Sequence, residues 1–141
     1  MPTGEVIVLE DNFRAVRNAV TGEMLMDAAE AGGNVVEGHA KINASSGRPG
    51  LRIQTGHLSS AIKTTKGKLS KTLAWAHIGP GSVVYARIHE LGGIIKNAWG
   101  RGIIVHMPAR PYLRPAMDEN EKDIVGAVEA EIWRNLDKAT K

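Results

Sequence analysis

With five histidines, 15 acidic side chains and no cysteine, the 141-residue chain can attempt only some chemistry. Without cysteine there are no disulfides, thiolate metal sites or cysteine nucleophiles, which fits a reducing compartment. The histidines stand at positions 39, 57, 77, 89 and 106. None pairs with another at the i, i+4 or short-loop spacing of a metal site. His89 and Glu90 are neighbours, and adjacent side chains on a helix diverge. The expectation is a partly exposed histidine and a glutamate that caps or pairs locally. Gly79-Pro80-Gly81 and Gly100-Arg101-Gly102 lack the third glycine and the Lys-Ser/Thr of a phosphate loop. No serine sits in a nucleophile elbow. The expectation is therefore no enzyme, with no catalytic, metal-binding or cofactor-binding residues and no cofactor.

Contact chemistry is better represented. Pro108, Pro111 and Pro115 place three prolines in eight residues, interleaved with Arg110, Tyr112 and Arg114. Proline fixes φ and removes a donor, which excludes helix interior and central strand. A stiff extended arm is predicted, turning into a helix at Pro115. Interfaces favour Tyr and Arg on pre-ordered segments, so Arg110, Tyr112, Leu113 and Arg114 are candidate interface residues. The alternative is a connector whose Tyr and Leu pack inward while the arginines stay wet. Lys63, Lys66, Lys68 and Lys71 put four lysines in nine positions around a predicted turn. They could face phosphates, as could Lys96 and Arg101, or keep an edge strand soluble. The lack of stacking aromatics near the four lysines favours solubility. Trp99, in a glycine-rich segment, is either folded back on its own domain or presented to a partner.

Elements must position these residues. The length suits a single domain, residues 1–141. Apolar residues make up 43% and charged residues 23%, as in globular proteins. Six aromatics leave most of the core to aliphatic side chains. Net charge is +3, which permits anionic partners without requiring them. No apolar run approaches a membrane span, and the start of the chain lacks a secretory signal. Residues 1–10 are predicted as an arm or strand, centred on 5–9, with Asp11 or Asn12 capping a helix. Helical spacing runs from Phe13 through Val16, Val20, Met24, Ala28, Ala31 and Val35 to Ile42, with a kink expected at Gly32-Gly33. After a loop at 45–50 and a helical turn within 55–62, a hairpin is predicted. Its strands would be 61–65 and 69–78, with the turn near Lys66-Gly67-Lys68. A short helix at 83–91, a mobile loop at 92–102 and a strand at 103–107 follow. A second long helix would run from Pro115 to about Lys138, with Ile124, Val125, Val128, Ile132 and Leu136 as its stripe. The predicted class is α+β, with two long helices on a small, mainly antiparallel sheet and a short third helix.

Three segments, in this order, resemble the tail-component or tail-completion family of long-tailed double-stranded DNA phages. Thr55-Gly56-His57-Leu58-Ser59-Ser60-Ala61-Ile62 resembles its Thr-Gly-x-Leu-x-x-Ser-Ile element, with Ala61 for the serine. Tyr85-Ala86-Arg87-Ile88-His89-Glu90-Leu91-Gly92 resembles its Tyr-Ala-x-x-(His or Val)-Glu-(Phe or Tyr)-Gly, with Leu91 for an aromatic. Pro108 to Ala116 is close to its Pro-Ala-Arg-Pro-Phe-Leu-Arg-Pro-Ala, and the likeness spans most of the chain. Related virion-morphogenesis proteins of contractile-tailed phages carry a similar His-Glu-x-Gly-Gly and Pro-Ala-Arg-Pro pair. The resemblance implies a structural protein of the head–tail junction, assembled in the bacterial host cytoplasm, whose relatives form rings around the DNA channel. Its implied partners are copies of itself, head-connector proteins and tail proteins, with DNA bound only non-specifically and no membrane. Six copies would follow from tail symmetry, with the isolated subunit able to stay monomeric until it meets a partner. A small basic nucleic-acid-binding module is the competing expectation.

Overall fold

The computed structural model describes residue 14, residues 16–47 and residues 56–140. The expected strand at 5–9 and the cap at Asp11 or Asn12 lie outside them. The class is α+β, with two long helices and two small antiparallel sheets. In chain order the elements are α1 (Gly22–Ile42), a π-helical turn (Asn43–Gly47), α2 (His57–Ala61), β1 (Lys63–Ser70) and β2 (Leu73–Gly79). Then come α3 (Ala86–Leu91), β3 (Gly93–Ala98), β4 (Ile103–Met107), α4 (Leu113–Asp118) and α5 (Glu121–Thr140). β1 pairs with β2 and β3 with β4, so that among the described residues the expected small sheet is two hairpins. The chain gathers into two compact units. One takes residues 1–33, 65–77 and 122–141; the other takes 34–64 and 78–121.

In the first unit the helical pattern begins before α1 but is interrupted at Val20 and Thr21. Thr21 restarts it: its Oγ1 accepts the Met24 amide at 3.3 Å, an N-cap that satisfies one orphan donor. The expected kink at Gly32-Gly33 is absent, because α1 runs unbroken through both glycines. Gly32 is a packing notch. A methyl group there would lie 2.8 Å from Val128 Cγ2 and 3.3 Å from Ile124 Cγ2 of α5. The buried line of α1 steps by four, through Met24, Ala28, Gly32, Val36 and Ala40. The expected line through Val20 and Ile42 leaves both exposed. On α5, Ile124, Val128, Ile132 and Leu136 turn inward, but Val125 does not.

The first hairpin turns at Lys71-Thr72, not at Lys66–Lys68. Gly67 lies mid-strand because the Trp75 indole occupies the space where a side chain would stand. Along β2, Leu73, Trp75 and His77 are exposed while Ala74, Ala76 and Ile78 are half-buried, the expected alternation.

In the second unit Tyr112 and Ile62 are the largest fully buried side chains, and the small residues Ala40, Ala86 and Ala116 are buried as well. Glu37 ties two elements of this unit together. It pairs with Lys41 at 2.5 Å and accepts the Thr64 amide at 2.7 Å. The Lys41 hydrogen bond holds the Glu37 carboxyl below its ordinary range, against the opposing effect of burial. The expected loop at 92–102 is mostly strand and turn. β3 and β4 pair in register from Gly93↔Met107 to Ile95↔Val105, bulge, and resume at Ala98↔Ile103. The expected helix at 83–91 is shortened to α3, and the helix expected from Pro115 starts two residues earlier and breaks at Glu119-Asn120. Asn120 accounts for the break, since its Nδ2 donates to the Ala116 carbonyl at 3.0 Å and competes with continued helix.

Candidate functional site

The arm of residues 108–112 is latched in place by the residues just before the second hairpin. α3 delivers Glu90, whose carboxylate accepts three consecutive amides. Oε2 takes those of Tyr112 (2.8 Å) and Leu113 (2.9 Å), and Oε1 takes that of Arg114 (3.0 Å). These amides open α4, where no helical carbonyl can reach them and a negative charge is favoured. Glu90 is thus a capping residue supplied from elsewhere in the chain. Pro115, third in α4, loses nothing by having no N–H. The latch has two further bolts. The Arg110 amide donates to the His89 carbonyl at 2.7 Å, and Asn43 Nδ2 donates to the Tyr112 carbonyl at 3.2 Å.

Gly92 allows the chain to pass the arm. Its φ is 70°, and a Cβ would sit 2.8 Å from the Ala109 nitrogen and 2.9 Å from the Met107 oxygen. No other residue fits both demands. His89 packs its ring edge-on to Tyr85, with centroids 5.7 Å apart, and its Nδ1 is buried without a hydrogen-bond partner. Burial, and secondarily the Arg110 charge, lower its pKa. Tyr112 is pushed the other way, up to about 12, by burial and then by the Glu90 charge. The arrangement orders a backbone, with both Glu90 oxygens accepting amides.

The expected interface residues separate. Tyr112 is 1% exposed, so it is a core anchor and not a surface contact; this corrects the sequence expectation. Burying its ring holds the arm down, which leaves Leu113 half-buried, Arg110 half-buried and Arg114 exposed. Neither guanidinium has a carboxylate partner among the described residues. Trp99 is 79% exposed at the apex of the second hairpin, presented outward.

The basic candidates separate as well. Lys66 is not at a turn. It bridges Asp27 (2.7 Å) and Glu30 (2.5 Å) of α1, and those hydrogen bonds raise its pKa. Lys63, Lys68 and Lys71 are exposed on the first hairpin, and Lys96 and Arg101 on the second. Two features escaped sequence reasoning. One is the reach of the Glu90 clasp: a glutamate that caps or pairs locally was expected, and the residue caps a helix start 22 to 24 positions away. The other is exposed Trp133 on α5, which stands off the buried stripe. Among the described residues no group of three or more His, Asp or Glu could hold a metal ion, and no helix is long and apolar enough to cross a membrane.

Comparison with protein-family models, curated proteins and solved structures returned no match.

Proposed function

We propose that this chain is a structural component of a long-tailed double-stranded DNA phage, acting in tail completion or head–tail joining as a ring around the DNA channel. The observation that carries this reading is the Glu90 clasp. Two of the three segments that resemble the tail-completion family are distant in sequence, yet they form one unit here: the carboxylate of the second holds the backbone of the third. A pattern spread over both segments thereby acquires a physical reason. The clasp also stiffens an arm that offers Arg110 and Arg114, neither with a carboxylate partner among the described residues, to acidic groups on another subunit or a fellow virion protein.

The test uses the phage that encodes the chain. Purified particles should contain it in a fixed ratio to the portal protein. Deleting its gene should leave filled heads and separate tails in electron micrographs, with infectivity restored by the intact gene. Particles that lack the chain and assemble normally without it would end this reading.

A further inference from the structure

The β3–β4 hairpin has two strands, and among the described residues neither of its outer edges has a sheet neighbour. Such a ribbon is marginal by itself. Yet this one leaves Ile94 and Ile104 more than half exposed, at 54% and 61%. Its apex is stranger. Trp99 adopts φ 55°, a left-handed conformation that bulky side chains rarely take, while Gly100 beside it would accept it freely. Strain of that kind persists where the side chain has a use. The hairpin carries Lys96 and Arg101 and no acidic residue, and neither cation has an ion pair among the described residues.

We propose that this hairpin docks on a second copy of the chain, head to tail, against the junction between α4 and α5. Charge decides the surface. Two hairpins facing each other would bring four cations together, so a symmetric contact is disfavoured and the counter-surface must be acidic. The junction supplies this: Asp118 closes α4 and Glu121 opens α5, both exposed and both without an ion pair among the described residues. Beside them Met117 is exposed and offers a thioether to the Trp99 indole. The inference rests on the proposed ring only in taking the occupant to be another copy.

The experiment measures the mass of the full chain in solution against concentration, by light scattering and native mass spectrometry. The parent protein should associate. Lys96→Glu/Arg101→Glu and Asp118→Lys/Glu121→Lys should each be monomeric. Mixed in equal amounts, they should associate again, because every acidic hairpin then meets a basic junction. The chain with all four changes should associate alone. Trp99→Gly should fold at least as stably as the parent yet associate about tenfold more weakly. The proposal is overturned if the parent stays monomeric, if either reversed pair associates like the parent, or if the mixture stays monomeric. It is also overturned if reversing the hairpin charges changes only retention on DNA. Detection of the chain in particles is a separate measurement, so the ring contact and the virion role can fail independently.

Discussion

At the scale of single residues, Glu90 carries more of the architecture than its exposed neighbours suggest. Glu90→Ala strips three amides of their acceptor at a helix start. The expected loss is about 2–3 kcal/mol, read from urea unfolding, with Glu90→Gln intermediate. The figure is held down because water can replace part of what the carboxylate supplied. His89 sets a pH dependence. Its folded pKa lies below the unfolded value, so the unfolded chain binds the proton more readily. Its stabilising contribution is therefore complete above the ordinary histidine value of about 6.5 and is lost as pH falls from there through the lowered folded value. Thermal unfolding between neutral and mildly acid pH should slope less in His89→Asn than in the parent. Equal slopes would mean that His89 stays accessible to the proton.

At the scale of elements, glycine has different roles at different places. Gly38 has open space around its missing side chain, and Gly32 does not. Gly38→Ala should raise stability by about 0.5–1 kcal/mol through helix propensity alone. Gly32→Ala gains the same propensity but drives a methyl into Val128, and overpacking of about 1–3 kcal/mol should leave it net destabilised. Opposite shifts in melting temperature would establish the notch. This contrast also marks what could be read from the sequence. The helical stretch around α1, the turn at 57–61, the existence of the first hairpin and the run of α5 follow from periodicity. Gly32, Gly67 and Gly92 look like punctuation in one dimension, because what makes each necessary is Val128, Trp75 or Ala109 from another part of the chain. The loop expected at 92–102 failed for a related reason: most of its glycines flank or form a turn, while the isoleucines between them pair with β4. Tyr112 was legible as a residue that could pack inward but not as one wholly buried, since its burial is set by segments distant in sequence, among them those that bring Asn43 and Glu90 to its backbone.

At the scale of the whole molecule, the charge excess is only +3, and Lys66 is already committed to α1. That leaves little to release counterions from a duplex. A gel shift should therefore show weak, sequence-independent retention at about 50 mM salt that vanishes by about 200 mM. Tight binding surviving the higher salt would favour a nucleic-acid module over a ring component.

The order in which the chain leaves the ribosome acquires a meaning from the way its two units interleave. Every segment of the second unit has been made once residue 121 emerges. The first must wait for residues 122–141, although it also draws on residues made before 34. At a synthesis rate of roughly 5–20 residues per second, Gly32 spends several seconds facing no partner before Val128 exists. Nascent α1 therefore carries a bare groove until residues 124–128 have been made, and a chain cut short before them would hold every segment of one unit while the other lacked a wall.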